Sequence, residues 1–389
     1  MSEQQKQGWL EQRLPIVSAF RREYIDFPMP PNLNFLWNFG AFATIALGFL
    51  VISGIFLALN YTPSINGAFA SVETIDRSVA WGWFIRGLHM GGVTMLFGSL
   101  YIHMGRGLYY GSYKAPREVL WLTGMGLFVL VMIIAFAGYV LPWGQMSFWG
   151  ATVIVNALGA IPVIGQPLSS LLFGEAPLGD MALHRMFVVH FALAFGAMAV
   201  IALHVAALHV TGSNNPTGVP TRKKVPFHPY YTTKDSFGIC LFLMVYAVLV
   251  FFLPGILTLA DNYIEANPMV TPADITPEWY FAPFYAVLRA VPSRLGGLLA
   301  AAGLLLVVVA VPWLDRGPIR SARFRPMIRL GLGAAFLAFI ALGIAGMQSP
   351  DTLWIWTARI AACVWFGFFL VLLPWASKHD DHFRVVEAD

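Results

Sequence analysis

Two histidine pairs constrain this chain more than any other feature. His89 and His103 lie fourteen positions apart inside one long apolar run, and His190 and His204 repeat that interval inside another. On an α-helix fourteen residues are about four turns, so both imidazoles of a pair point to nearly the same face, about 21 Å apart along the axis. Ionisable and metal-binding side chains in such runs are costly and usually functional. One pair is weak evidence; the same interval on two helices is strong evidence. With the helices side by side, His89 faces His190 and His103 faces His204. That gives two sites at different depths, each with imidazoles from opposite sides. The natural occupant of each is a flat metal macrocycle with two axial histidines. A compact centre using all four is excluded by their separation along the helix. Cys240 and Cys363 are the only cysteines, and both sit in apolar spans. Without C-x-x-C-H there is no covalent c-type attachment, so the pattern predicts two non-covalent b-type haems. Two isolated cysteines also leave no disulfide framework or iron–sulfur cluster within this chain.

Hydrophobic residues make up 58% of the chain and charged residues 11%, the latter about half the share in an average soluble protein. The fold class expected is an all-α membrane protein, because helices satisfy their own backbone hydrogen bonds in lipid. The net charge of +4 belongs to membrane topology and gives no nucleic-acid signal. Eight runs have roughly the twenty apolar residues a span needs: near 35–59, 82–105, 118–141, 184–208, 237–257, 296–314, 328–347 and 354–375. The first four would form a bundle holding the haems. The expected organisation is an amphipathic N-terminal segment at 1–34, the di-haem bundle at 35–210, C-terminal helices at 211–376 with a long outer loop at 258–295, and a polar tail at 377–389. Residues 2–27 mix Trp9, Leu10, Leu14 and Phe20 with arginines, as in a segment lying on the membrane surface. The stretch 1–34 lacks the charged-apolar-small pattern of a cleaved signal peptide, so insertion is expected through the first span.

Lys and Arg divide 18 to 6 between the two sides of the membrane, which predicts both termini in the cytoplasm. The second and fourth spans then run the same way, putting His89 and His190 at the outer depth and His103 and His204 at the inner one. Two outer loops, 142–183 and 258–295, are long enough to suggest function; the first carries an apolar, proline-interrupted stretch at 161–173 expected to lie in the interface.

Glycines repeat the histidine interval. Gly40 and Gly54 lie fourteen apart in the first span, and Gly124 and Gly138 fourteen apart in the third. A glycine lets a flat ring approach the backbone, so each haem edge could lie against the glycines at its own depth, although glycine is also common wherever membrane helices touch. Arg86 and Arg106 each lie three residues from a proposed ligand and suit haem propionates; Arg185 also flanks the histidines, and interface anchoring is the plainer use of any of them. His184, His228, His379 and His382 read as surface or tail groups. His209 ends the fourth span, and Lys234 and Asp235 open the fifth, so three titratable groups gather near the inner haem. Asp235 could instead cap its helix.

Arg86, His103, Arg106-Gly107-Leu108-Tyr109-Tyr110-Gly111-Ser112, Gly138-Tyr139-Val140-Leu141-Pro142-Trp143-Gly144-Gln145-Met146, His209, Ser213-Asn214-Asn215-Pro216 and Pro277-Glu278-Trp279-Tyr280 together resemble the bacterial type of cytochrome b of ubiquinol–cytochrome c oxidoreductase, respiratory complex III. The resemblance covers essentially the whole chain. It implies a Q-cycle. Quinol is oxidised at an outer site beside the haem on His89 and His190, and one electron leaves to a Rieske-type iron–sulfur subunit and then to a cytochrome c-type subunit. The other crosses through the haem on His103 and His204 to reduce quinone at an inner site. The resemblance maps the outer site onto Glu278, with Tyr139, Tyr280 and Tyr285, and the inner site onto His209, Ser213, Lys234 and Asp235. It implies a homodimeric complex in the bacterial inner membrane, with 161–173 facing the iron–sulfur partner. The type of quinone stays open. Rival readings are another quinone-linked di-haem b subunit, as in formate dehydrogenases or hydrogenases, a proton-relaying transporter, or a structural anchor. The PEWY loop and eight spans argue against the first, and transport or anchoring leaves the doubled histidine interval unexplained.

Overall fold

A computed structural model of the protein describes residues 8–174 and 178–379. The chain is built from long apolar helices: α1 (Phe39–Ala58), α2 (Gly82–Tyr109), α3 (Glu118–Val140), α4 (Asp180–Thr211), α5 (Tyr230–Phe252), α6 (Arg294–Val309), α7 (Pro326–Gly346) and α8 (Thr352–Gly367). Six stretches among the described residues are long and apolar enough to cross a membrane: Phe35–Ala58, Glu118–Val140, Asp180–Thr211, Tyr230–Phe252, Pro326–Gly346 and Thr352–Ser377. The other two expected spans are present as helices that differ from these six. α2 is 28 residues long but is diluted by Arg86, His89, His103 and Arg106, side chains that lower its hydropathy. α6 has only 16 residues.

Helix ends differ from expectation where polar residues continue the backbone pattern. α4 starts at Asp180 and runs to Thr211, taking in both His184 and His209. α5 starts at Tyr230 with Pro229 as its cap residue, so Lys234 and Asp235 lie in its second turn and Asp235 does not cap it. The first of the two long loops, 142–183, carries two helices, Gln145–Gly159 and Gly165–Phe173. The second carries a helix at Ala282–Ala290. The N-terminal segment forms short exposed helices, Trp9–Arg13 and Ile16–Phe20, then a wider turn at Arg21–Ile25. Among the described residues one two-stranded ladder, β1 (Pro28–Met29) against β2 (Val225–Pro226), interrupts the helical pattern and ties this segment to the chain before α5. Residues 1–7 and 380–389, which include His382, Lys6 and Arg384, lie outside the described residues.

α1 packs along α2, α3 along α4, and α5 against α2, while α7, α8 and the Ala282–Ala290 helix form a second cluster with α6. Small residues permit these approaches. A Cβ on Gly92 would stand 2.7 Å from the Tyr246 hydroxyl, which reaches past it to donate to the Leu88 carbonyl. One apolar core joins Ala46, Leu50, Phe97, Phe128 and Tyr280. Another joins the ends of α2 and α3 to α7 and α8. Outward-facing side chains such as Leu203, Leu330, Leu337 and Ile360 are more than half exposed, as a lipid-facing surface requires.

Candidate functional site

The two histidine pairs meet. His89 and His190 have ring centres 6.0 Å apart with planes at 68°; His103 and His204 are 6.4 Å apart at 67°. A metal–imidazole bond of about 2 Å, plus about 1.1 Å from nitrogen to ring centre, would place two imidazoles on opposite sides of one metal about 6.2 Å apart. Both pairs are therefore spaced for one metal between them. Because His89 meets His190 and His103 meets His204, α2 and α4 run in the same direction, and the two sites lie at different depths.

Hydrogen bonds fix three of the four rings. The His190 Nδ1 lies 2.7 Å from the Ile134 carbonyl oxygen, which can only accept, so Nδ1 carries the proton and Nε2 keeps its lone pair. The Ser53 hydroxyl lies 3.0 Å from His89 Nδ1 and spends its own proton on the Phe49 carbonyl at 2.6 Å, so it accepts from His89. The Thr123 hydroxyl donates to the Val119 carbonyl at 2.9 Å and accepts from His204 Nδ1 at 3.0 Å. Each bond orients a ring and leaves Nε2 as the metal-binding atom. The His103 Nδ1 meets Arg106 Nη2 at 3.4 Å instead. Ser53 and Thr123 were not anticipated from sequence, yet the signal existed: each directly precedes one of the spaced glycines, Gly54 and Gly124.

The glycines serve the histidines one to one. A Cβ on Gly40 would stand 2.9 Å from His103 Cε1, one on Gly54 3.1 Å from His89 Cε1, and one on Gly124 3.0 Å from His204 Cε1; one on Gly138 would overlap His190 Cε1. What lies against each glycine is the edge of an imidazole, so their interval matches the histidines because they make room for them.

Cations surround the His103–His204 pair more openly than the His89–His190 pair. The Arg106 Nε is buried without a hydrogen-bond partner, and its guanidinium lies 5.0 Å from the centre of the Trp37 ring. Arg117, buried at the start of α3, leaves Nε and Nη1 unpartnered and donates through Nη2 to the Gly212 carbonyl at 3.2 Å. The two guanidiniums are close enough to repel. Buried cations with free donors call for an anion, and haem propionates fit that need. Arg117 was missed in the sequence because it sits in a basic loop that reads as ordinary topology. Arg86 is matched differently, by an ion pair to Asp76. Arg185 donates to the Ser170 and Leu171 carbonyls at 2.7 and 2.8 Å, finishing the Gly165–Phe173 helix.

Beyond the C-terminal end of α3, loops 142–147 and 262–270 zip together. The Gln145 N–H donates to the Ile264 carbonyl at 2.9 Å and the Ala266 N–H to the Trp143 carbonyl at 3.0 Å, with Trp143 held at φ +54°. Asn262 Oδ1 accepts from the Ser147 N–H at 2.9 Å and hydroxyl at 3.1 Å. Beyond this zipper, Pro277, Glu278, Trp279 and Tyr280 turn into the Ala282–Ala290 helix. Tyr280 is buried, stacked on Phe97 at 4.2 Å. Glu278 is half-buried, and desolvation pushes its carboxyl up to about 7 against a weaker downward pull from Tyr139. The Tyr139 hydroxyl faces that carboxyl but closes no well-formed hydrogen bond with any described group. Tyr285 lies further out, with the Arg289 guanidinium 4.5 Å over its ring.

At the opposite end, His209 Nδ1 pairs with Glu23 Oε2 at 2.8 Å and its ring stacks on Phe27 at 4.4 Å. Lys234 Nζ sits 4.7 Å over Phe35 and 5.4 Å over Tyr231, without a hydrogen-bond partner. Asp235 is met by the Asn38 side chain, and the Ser213 hydroxyl donates to the Asn214 carbonyl at 2.9 Å. His184, His228 and His379 are exposed.

Comparison with known proteins places these features. The family model described as cytochrome b/b6/petB matches residues 24–212, and that described as cytochrome b (C-terminal)/b6/petD matches 265–366. Cytochrome b of Rhodospirillum rubrum is 49% identical over 94% of this chain and 91% of its own length. A cytochrome b/c1 of Bradyrhizobium diazoefficiens is 45% identical over 95% of this chain, which spans 54% of that longer protein. A solved chain of a hyperthermophilic respiratory Complex III superposes with a TM-score of 0.89 at 31% identity, over 96% of this chain and 98% of that one.

Proposed function

This chain belongs to the cytochrome b family of complex III-type quinol–cytochrome c oxidoreductases, and we propose that it oxidises quinol at an outer site around Glu278 and reduces quinone at an inner site around His209. In this reading all eight helices α1–α8 cross the membrane, and α1–α4 bundle around two b-type haems. His89 and His190 would hold the outer haem and His103 and His204 the inner one, with Arg106 and Arg117 matching inner propionates. Haem supplies one-electron redox chemistry at each depth when bound.

The residues of the chain supply the rest. Quinol gives up two protons with its two electrons, and a base must take each. Glu278 is suited to one: burial holds its pKa near 7, and the neighbouring Tyr139 hydroxyl offers a donor or acceptor for the quinol oxygen. Trp279 and Tyr280 close the loop against Phe97 and exclude water. On the inner side the His209 imidazole can hand a proton to a quinone oxygen, while Lys234, Asp235 and Ser213 offer polar contacts to a quinone. Partners are a Rieske-type iron–sulfur subunit, which takes the other quinol proton, and a cytochrome c-type subunit. The 161–173 region would face the former, and the whole would be a homodimeric, lipid-embedded complex of the bacterial inner membrane with both termini cytoplasmic.

The observation that carries this reading is the doubled imidazole pair at 6.0 and 6.4 Å. A reduced-minus-oxidised spectrum of the purified complex, with haem extracted by acid acetone and counted, tests it. Two extractable b haems per chain are expected, with one lost in His89→Leu or His190→Leu and the other in His103→Leu or His204→Leu. One haem per chain, or a covalent adduct, would overturn it.

A further inference from the structure

The most telling unused contact lies between His209 and the N-terminal segment, 186 residues away in sequence. Glu23 stands on the turn Arg21–Ile25. Its Oε2 lies 2.8 Å from His209 Nδ1 and its Oε1 2.6 Å from Arg22 Nε. Phe27 covers one face of the imidazole, ring centres 4.4 Å apart and planes at 21°, and the Tyr24 ring approaches edge-on at 6.1 Å. None of these groups belongs to α4, the helix that carries His209.

The segment is not placed there by chance contact. Met29 pairs with Val225 and Pro28 with Pro226. The Phe227 N–H donates to the Phe27 carbonyl and the His228 N–H to the Ile25 carbonyl, both at 3.0 Å. The Tyr231 hydroxyl donates to the Pro30 carbonyl. Backbone bonds and the Tyr231 hydroxyl thus fix residues 25–30 on either side of the ring contact, and this ladder is the one two-stranded sheet among the described residues.

We propose that Glu23 is a positioning residue for His209, its carboxylate selecting the ring nitrogen and the ring orientation that His209 presents to quinone at the inner site. The inference rests on the inner-site reading given above. An ionised carboxylate only accepts hydrogen bonds, so it holds the proton on Nδ1 and leaves Nε2 as the atom that exchanges a proton with the substrate oxygen. Arg22, followed by His209 itself, lowers the Glu23 pKa, which keeps the carboxylate ionised at neutral pH. Stacking on Phe27 removes rotation about the ring's own axis. Together these do for a membrane-surface histidine what a buried orienting acid does in other proton-transfer sites.

The test is the rate at which a short-chain ubiquinone reoxidises the prereduced inner haem in the purified complex, outer-site quinol oxidation being monitored alongside. His209→Ala and Glu23→Ala should each slow reoxidation, Glu23→Ala by about tenfold, a part of the hundredfold or more that a general acid contributes. Glu23→Gln keeps an acceptor for Nδ1–H and should restore most of the rate. Glu23→Ala combined with His209→Ala should be no slower than His209→Ala alone, since the carboxylate acts only through the ring. Haem content, thermal midpoint and outer-site rate should match the parent throughout. A parental rate in Glu23→Ala, or an additive loss in the double variant, overturns the positioning role. A parental rate in His209→Ala overturns the inner-site reading itself, so the two failures are distinguishable.

Discussion

Single residues near the C-terminal end of α3 carry different burdens. Glu278 is pushed up from 4.5 to about 7 by desolvation. Between those values the folded chain holds more protons than the unfolded one, so stability falls as pH rises through the window. The base form appears over the same window. Quinol–cytochrome c turnover is therefore expected to rise as pH passes through about 7. Glu278→Gln should lower it about tenfold or more and flatten that rise, given the size of general-base effects. The same variant should melt no lower than the parent at alkaline pH, because it removes a buried charge. A parental pH–rate profile would assign the proton to another acceptor. Gly138 is constrained by space alone. An alanine there overlaps the His190 edge, so Gly138→Ala should diminish the absorbance of the haem proposed on His89 and His190 while leaving that proposed on His103 and His204, and Gly126→Ala, with nothing within 4 Å of the added carbon, should leave both.

At the scale of elements, a buried carboxylate ties three parts of the chain together. Asp315, following α6, accepts from Arg325 Nη1 and Nη2 at 2.7 and 2.8 Å, from the Ser377 hydroxyl at 2.6 Å and from the Tyr113 hydroxyl. It also pairs with Lys114 Nζ at 2.8 Å. Burial alone would raise its pKa; Arg325 and Lys114 overcome that and hold it at about 2. A folded pKa below the unfolded value of about 3.9 gives stability that is present above that pH and is lost as pH falls towards 2. Removing one partner of such a cluster costs about 3–5 kcal/mol, so Asp315→Asn should lower the thermal midpoint of the complex at neutral pH. The deficit against the parent should shrink on acidification. An unchanged midpoint would mean that the cluster contributes specificity rather than stability. None of this was legible in the sequence: Lys114 and Arg325 read as topology signals, and no local pattern marks Asp315. The histidine pairing was legible because a single interval repeated on two helices. The starts of α4 and α5 were not, because Asp180 and Tyr230 precede the apolar runs and hydropathy does not see a helix that begins in water. The link from Glu23 to His209 depends on a two-residue ladder between distant segments, for which no local pattern exists.

For the whole molecule the decisive relation is between the direction of helices and the side of the membrane. His89 meeting His190, and His103 meeting His204, requires α2 and α4 to be parallel, and α3 between them to return. Geometry alone leaves the sign undetermined: either histidine pair could be the outer one. The expected sign comes from the 18-to-6 division of Lys and Arg, since cytoplasmic loops carry an excess of basic residues. Two exposed positions discriminate. Lys224 lies in the loop before α5, on the basic side, and Met269, 88% exposed, in the loop before α6, on the other. The native Cys240 and Cys363 both lie within helices expected to be in lipid, where a charged, membrane-impermeant thiol reagent reacts poorly, so the parent provides a low background. Lys224→Cys should be labelled in inside-out vesicles and not in intact spheroplasts, and Met269→Cys the reverse. The opposite pattern would place His209 and Glu23 outside and Glu278 inside, and would exchange the roles of the two quinone sites.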